Sequence, residues 1–345
     1  VESCSLQVDT VPVVLSSGAP SLAAVSLTYP EIADSPSALC LALSLLGQMA
    51  SQETARPAVV GALPYIIALM RKHATDVVVQ KQALPTLGAI SLDRIANAQI
   101  GAEGGISAIV EGVKAHVSDP KLLAVAFATL GSVSLNEDNN RSLAMMGASD
   151  VIVAGMKRHI SDASVQATGA ATLWSLASYS QEFVPKDDPA RLTLGEEAAE
   201  AVVKAMETHP TNSRLQEMAC GVAQFVAPGV GSERIAAVWK AVIGASSRAP
   251  NAPRLLEAAL SSLAQLVRFQ TESAHEVAAL ALQAVGRHGS DLALLRSALK
   301  ALVTAVELDA SCQELSGFKS LPTTCHAVAD DKQIADLLNQ LDLGR

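Results

Sequence analysis

Residues 79–90 read Val79-Gln-Lys-Gln-Ala-Leu-Pro-Thr-Leu-Gly-Ala-Ile90, and their apolar side chains follow a single helical stripe. Val79, Ala83, Leu87 and Ile90 are spaced i, i+4, i+8 and i+11, which is one face of an amphipathic α-helix. The small second member of the stripe, Ala83, allows another helix to approach closely. The pattern therefore predicts a helix that packs through this face against a neighbour.

The same stripe recurs along most of the chain. The interval between copies is 43 residues twice, then 50 once, then 40. The first position of the stripe falls at Val79, Leu122, Val165, Leu215, Leu255 and Leu295. Three further series share the interval of 43, namely Gly61, Gly104 and Gly147, His73, His116 and His159, and Asp76, Asp119 and Asp162. A period of this length is typical of stacked helical units, so we predict an all-α solenoid of about seven repeats plus a C-terminal cap.

Two stretches of the chain resemble the armadillo repeat. One is Gly61-Ala-Leu-Pro-Tyr-Ile-Ile-Ala-Leu-Met70 together with residues 79–90, and the other is Val165-Gln-Ala-Thr-Gly-Ala-Ala-Thr-Leu-Trp-Ser-Leu-Ala177. The resemblance covers roughly residues 37–345. It implies a right-handed superhelix of three-helix repeats whose third helices line a concave groove that binds peptides or other proteins. After Gly229 the units look closer to two-helix repeats.

The first 36 residues differ from the repeats that follow them. Residues 1–36 mix Val, Ser and Pro, which argues against a long helix and predicts an extended N-terminal arm. Two interpretations of this arm are open, a loose tail or a segment that lies along a neighbouring protein. We therefore expect two regions, the arm at 1–36 and an armadillo-like repeat domain at 37–345.

Peptide-binding armadillo proteins such as importin alpha carry a Trp and an Asn on each third helix, and this chain lacks both. The positions that match the Trp hold Pro85, Ala128, Ala171, Gly221, Ser261 and Ala301. The positions that match the Asn hold Ala89, Ser132, Ser175, Phe225, Gln265 and Ala305. We expect a groove of small side chains that admits a helix or a folded surface, and no recognition of nuclear-import cargo. Phe225 and Gln265 are its expected contacts, although Phe225 could instead pack beneath the next repeat.

Basic residues and histidines recur near the predicted ends of the second helices. The cations are Arg71, Lys114 and Lys157, and the histidines are His73, His116, His159, His209 and His288. Positive groups suit the negative end of a helix dipole, and a histidine there can bond free carbonyls. The cations alternatively form a docking edge for an acidic partner, with binding that weakens in salt. A metal shared by the histidines is not expected, because equivalent positions on stacked helices lie roughly 8 to 10 Å apart.

Two further features have competing interpretations. Trp174 lies on a predicted third helix and is interpreted as packing between repeats, with a binding hot spot as the alternative. Residues 181–195 lie where the period lengthens, and their two prolines and adjacent aspartates predict a surface loop. Such a loop either contacts a partner protein or has no role in binding.

The amino-acid composition argues against several classes of function. Of the 345 residues 50% are hydrophobic and 17% are charged, and the net charge is −9. An acidic chain does not suit a phosphate backbone, so nucleic acid is not an expected partner. Five scattered cysteines without a CxxC indicate reduced thiols and neither a disulfide framework nor a zinc site. No catalytic motif occurs, so we expect no enzyme, no cofactor and no metal.

Low charge on an extended repeat fold indicates surface that other proteins cover. We expect a non-enzymatic protein-protein interaction scaffold, most simply a structural subunit in a stable hetero-complex. The alternative is a reversible adaptor or chaperone-like binder of peptide or client segments in the groove. No apolar run is long enough to cross a bilayer.

The first residues of the sequence give an expectation for the cellular location of the protein. No Lys or Arg precedes Arg56, so any targeting peptide is expected to be gone already. The expected location is the cytoplasm, including the cytoskeleton or a cilium. The alternative is an organelle interior after removal of a transit peptide.

Overall fold

A computed structural model describes residues 27, 29, 32, 35–188, 191–226, 230–321, 325 and 331–341. Across these residues the regular structure is helical, and β-pairing is confined to isolated bridge residues, including a bridge between Leu194 and Val226. The prediction of an all-α fold is confirmed. Most of the predicted arm lies outside the described residues. The chain divides into two compact units, Val1–Leu192 and Thr193–Arg345.

The first unit contains helices α1 to α10. Their bounds are α1 Pro36–Ser51, α2 Arg56–Val59, α3 Leu63–Lys72, α4 Val77–Ile90, α5 Arg94–Ala102, α6 Gly105–Ala115, α7 Pro120–Val133, α8 Glu137–Met145, α9 Ala148–Arg158 and α10 Ala163–Phe183. The sets α5 to α7 and α8 to α10 each run from a short to a middle to a long helix. Their starts are offset by 43 residues, which is the spacing found in the sequence.

The second unit contains helices α11 to α17. Their bounds are α11 Glu196–Thr208, α12 Ser213–Ala223, α13 Ser232–Arg248, α14 Pro253–Leu266, α15 Ala274–His288, α16 Leu292–Leu308 and α17 Lys332–Gln340. From Ser232 onward, long helices follow one another with only short 3₁₀ turns between α14 and α15, as the sequence led us to expect. The last helix among the described residues, α17, begins at Lys332.

The aspartates of the repeat begin the long helices of the first unit. Asp76, Asp119 and Asp162 are the N-cap residues of α4, α7 and α10, and each side chain accepts backbone N–H groups of the first turn. Such a cap stabilises a helix by about 1 kcal/mol. Asp119 also accepts a 2.6 Å hydrogen bond from Lys81 Nζ, and this bond lowers the pKa of its carboxyl. One side chain thus starts α7 and ties it to α4.

Two of the three repeated glycines are explained by backbone conformation. Gly104 and Gly147 have φ of 73° and 67° directly before α6 and α9, a left-handed conformation that glycine adopts without steric cost. Gly61 lies in a 3₁₀ turn and has no such φ. The left-handed conformation therefore explains the glycines at 104 and 147, whereas Gly61 occupies a different local structure.

A series of threonines joins the long helices of the first unit. Thr86 Oγ1 lies 3.1 Å from Leu43 O, Thr129 Oγ1 3.0 Å from Leu84 O, and Thr172 Oγ1 2.7 Å from Phe127 O. Each hydroxyl also lies within hydrogen-bond distance of the carbonyl four residues earlier in its own helix, so its single proton is shared between two acceptors. A glycine faces each hydroxyl: a Cβ on Gly47, Gly88 or Gly131 would lie 2.8, 3.3 or 3.4 Å from the opposing Oγ1. Close approach of the helices thus depends on paired Gly and Thr, in addition to the small residues of the stripe.

Replacing Thr129 by valine tests this contact. Valine has nearly the same shape but cannot donate to Leu84 O, so we expect the free energy of unfolding to fall by about 1 kcal/mol. Thr168→Val is the matched control, because Thr168 is only partly buried and both acceptors of its hydroxyl lie on its own helix, whereas Thr129 has Leu84 O on another helix in addition to Val125 O on its own. Urea unfolding followed by circular dichroism measures both. Equal effects for the two variants would contradict the role of the inter-helix bond.

Buried amide side chains also satisfy backbone groups within and between units of the repeat. Gln80 Nε2 donates to Met70 O and His73 O, and Gln166 and Gln216 make the equivalent pairs of bonds. Asn140 is 0% exposed and its Nδ2 donates to Leu176 O at 3.2 Å. Asn140 opens an Asn-Arg-Ser sequence, but a buried and hydrogen-bonded amide is not accessible to glycosylation.

Candidate protein-interaction surface

An open depression of about 500 Å³ lies across α4, α7 and the start of α10. Its lining includes Pro85 and Ala128, which match the Trp positions of the resemblance, and Ala89 and Ser132, which match the Asn positions. The structure therefore brings four predicted groove positions of the first unit together. The Ser132 hydroxyl donates to Ala128 O at 3.1 Å within its own helix. The floor is consequently made of small, mostly apolar side chains.

Leu92, which lines this depression, is 58% exposed and was not predicted as a contact from the sequence. Leu135 follows α7 at the position equivalent to that of Leu92 after α4 and is 56% exposed, and Ile95 on α5 is 72% exposed. Leu92 also lines a second depression of about 1030 Å³ together with Ile95, Arg56 and other residues of α2 and α5. Clustered apolar exposure of this kind marks interaction sites more often than single exposed residues do. The signal in the sequence was the leucine repeated after 43 residues.

Ser175 and Trp174 have a different environment from Ser132. Ser175 Oγ lies 3.2 Å from Ser134 Oγ and donates to Gly131 O at 3.3 Å. Both Ser175 and Trp174 are partly buried on α10. The Ser175 hydroxyl thus joins α10 to α7, and the exposed part of Trp174 leaves both of its interpretations open.

In the second unit, the two expected contacts occupy unlike positions. Helix α12 ends at Ala223, so Phe225 lies beyond it in a turn closed by the Phe225 N–H donating to Val222 O at 2.9 Å. Its side chain is partly buried, whereas Gln265 is exposed on α14. A helix shorter than the repeat pattern predicts has therefore moved Phe225 off the helical face.

The basic residues lie where the helix-dipole interpretation puts them. Arg71 is in the last turn of α3, Lys114 in the last turn of α6 and Lys157 in the last turn of α9. Arg71 Nη2 also donates to Gly104 O at 2.9 Å, in the turn before α6. Arg71 therefore has a structural partner in the next repeat, while a salt-sensitive docking edge stays a prediction.

The repeated histidines connect successive repeats. His116 Nε2 donates to Ala74 O and His159 Nε2 to Val117 O, both at 2.8 Å, and His288 Nε2 donates to Pro250 O at 3.1 Å. A carbonyl can only accept, so Nε2 carries the proton. Each of these rings therefore bonds a backbone carbonyl in the turn of the preceding repeat. The sequence predicted a bond to a free carbonyl at the end of the histidine's own helix, and the observed bond is made to the preceding repeat instead.

The segment of the lengthened period is fastened to the first unit. Residues 181–183 continue α10, so the predicted loop begins only at Val184, which is 2% exposed. Arg191 donates to Val184 O and to Gln181 O, and Asp188 pairs with Arg141 of α8. These contacts hold the described part of the segment against α8 and α10.

The thiols of the described cysteines, Cys40, Cys220, Cys312 and Cys325, are free. Cys220 is 0% exposed on α12, and burial raises the pKa of its thiol to about 12. A buried thiol that keeps its proton is a poor nucleophile. Cys220 is therefore a packing residue.

No protein-family model matches the chain, and no curated protein sequence does either. Among the described residues, none of the helices has both the length and the apolar character needed to cross a membrane.

Proposed function

We propose that the chain is a non-enzymatic protein-protein interaction scaffold of the armadillo type, a right-handed superhelix of about seven repeats with a C-terminal cap. In this proposal it serves as a structural subunit of a larger protein complex. The observation that carries the proposal is the depression across α4, α7 and α10, floored by Pro85, Ala89, Ala128 and Ser132 and edged by exposed Leu92. Small side chains on the floor of the depression favour the binding of a bulky partner over the binding of an extended peptide that is held through its backbone.

Exposed apolar residues of the first unit specify the kind of partner. Leu92, Ile95 and Leu135 expose apolar surface, so a partner gains by burying its own apolar side chains against them. Arg56, Arg94, Glu53 and Asp93 line the neighbouring depression. Mixed charges around an apolar centre resemble the polar rim of an interface. The proposed partner is therefore an amphipathic helix or a folded surface of another protein.

A photo-crosslinking amino acid at Ala128 tests the proposal. In extracts of the source cells, we expect position 128 to cross-link to one neighbour or a small set of neighbours at fixed stoichiometry. Placing Arg at the same position (Ala128→Arg) forces a charge into the contact, and we expect the same neighbours to be captured about tenfold less or worse. Quantitative mass spectrometry gives both measurements.

The control position is Glu111 on α6, which is exposed and accepts a hydrogen bond from Ser107 Oγ of its own helix. Cross-linker at 111 and Glu111→Arg should leave the neighbours of position 128 unchanged. Variable, substoichiometric clients at 128 would favour a reversible adaptor instead. A highly soluble monomer without neighbours at position 128 would contradict both forms of the proposal.

A further inference from the structure

A cluster of side chains in the second unit has no part in the proposed interaction surface. His275 lies in the first turn of α15, and Asp309, Ser311 and Cys312 lie in the turn that follows α16. One donor atom each from His275, Asp309 and Cys312 lies within 4.8 Å of the other two. Because the residues come from two places 34 or more positions apart, only the folded chain brings them together.

Ser311 forms hydrogen bonds with one side-chain atom of Asp309 and one side-chain atom of His275. The Ser311 backbone N–H donates to Asp309 Oδ1 at 3.0 Å and its hydroxyl lies 2.6 Å from the same oxygen, to which it donates. Its single proton is thereby committed, so Ser311 Oγ accepts from His275 Nε2 at 3.2 Å. The atoms left over are His275 Nδ1 and Asp309 Oδ2, which face each other at 3.2 Å.

His275 Nδ1 and Asp309 Oδ2 are therefore the two polar atoms of the cluster that face each other directly. Either a proton or a metal cation can bridge a ring nitrogen and a carboxylate oxygen, and a bound metal would take the place of the proton. The Cys312 thiol is the third donor group of the cluster and lies on its buried side. Imidazole nitrogen, carboxylate oxygen and thiolate sulfur together form a donor set suited to Zn²⁺.

We propose that His275 Nδ1, Asp309 Oδ2 and Cys312 Sγ bind one Zn²⁺ ion. Tetrahedral zinc with bonds of about 2.0 to 2.3 Å places its ligands about 3.3 to 3.8 Å apart, which a cluster within 4.8 Å reaches with small shifts. Ser311 supports the ligands by holding the outer atoms of both His275 and Asp309, as outer partners do in zinc sites. Carboxylate and thiolate together neutralise the ion.

The site has an open side. The His275 and Asp309 side chains are 46% and 42% exposed, so the metal can enter from solvent and keep a water or a partner's ligand in its fourth position. Zn²⁺ binds the thiolate form of cysteine, so metal binding releases a proton from the Cys312 sulfur. Binding is therefore expected to weaken as the pH falls.

The same residues do not form a hydrolytic triad. A serine nucleophile must give its proton to histidine, whereas the short contact of Ser311 Oγ is to Asp309 Oδ1. The hydroxyl orients the ligands and is not activated by His275. These hydrogen bonds therefore do not favour acyl transfer.

Titration of the full chain, without a histidine tag and with its thiols reduced, tests the proposal. We expect one Zn²⁺ per chain in competition with a chromophoric chelator, and a thiolate-to-metal charge-transfer band when Co²⁺ is used instead. Ser311→Ala should weaken Zn²⁺ binding about 10- to 100-fold. His275→Gln and Cys312→Ser should weaken it more than Ser311→Ala does, and Cys312→Ser should abolish the Co²⁺ band.

Cys40→Ser is the matched control, since Cys40 is a partly exposed thiol on α1, and binding should be unchanged. His275 is a surface residue, so His275→Gln keeps the test valid if Cys312→Ser fails to fold, and circular dichroism checks both. Wild-type affinity no better than that of His275→Gln, or a Co²⁺ complex without thiolate charge transfer, would overturn the proposal.

Discussion

Replacing Phe127 by alanine is expected to lower the free energy of unfolding of the first unit by about 3 to 5 kcal/mol. Phe127 on α7 is 0% exposed and is the largest of the fully buried side chains among the described residues. Its ring fills the space next to Gly155 of α9, so its loss leaves a cavity between two helices. Urea unfolding followed by circular dichroism gives the change.

Leu41→Ala is the matched control for Phe127→Ala. Leu41 is an apolar residue of α1 that is 65% exposed, and its removal should change the free energy by about 0.5 kcal/mol or less. Similar losses at the two positions would contradict the assigned packing. The comparison therefore separates burial from hydrophobicity alone.

The contact between Phe127 and Gly155 can be tested from the other side. A Cβ on Gly155 would lie 2.7 Å from Phe127 Cζ, so Gly155→Ala should cost about 1 to 3 kcal/mol by overpacking. Phe127→Leu shortens the opposing side chain, and the double variant should lose less stability than the sum of the two single changes. Strict additivity would show that the residues do not touch.

The second large effect is expected in alkaline solution and comes from Cys220. Its thiol has a pKa of about 12 in the folded chain against 9.0 as the ordinary value, and burial is the largest cause. Above pH 9 the unfolded chain releases this proton while the folded chain retains it. The stabilisation is therefore complete below pH 9 and is lost as the pH rises towards 12, at about 1.4 kcal/mol per unit.

Comparison with Cys220→Ala isolates the effect of the thiol from other groups that titrate at high pH. Between pH 9 and 11 we expect the stability of the natural chain to fall by about 3 kcal/mol more than that of Cys220→Ala. Urea unfolding at several pH values measures the difference. Parallel pH profiles for the two proteins would show that Cys220 ionises as easily in the folded chain as in the unfolded one.

The candidate surface was only partly predictable from the sequence. The resemblance to the armadillo repeat implied that Pro85, Ala89, Ala128 and Ser132 are groove positions, and these residues do line one depression. The exposed Leu92 on its rim was not identified, because a leucine after a helical stripe has the same pattern whether it is buried or exposed. Ser175 was expected beside Ser132, but its bonds to Ser134 and Gly131 depend on how closely α10 approaches α7.

By itself, the sequence determined the helical class and the interval of 43 residues, which the series Asp76, Asp119 and Asp162 also follows. These features are local, since a helix and its first turn depend on neighbouring residues. Only the tertiary structure decided that Thr129 bonds Leu84 O, that His159 bonds Val117 O and that His275 meets Asp309 and Cys312. The physical reason is distance along the chain: each contact joins groups more than thirty positions apart, and packing of the helices, not their periodicity, sets which groups meet.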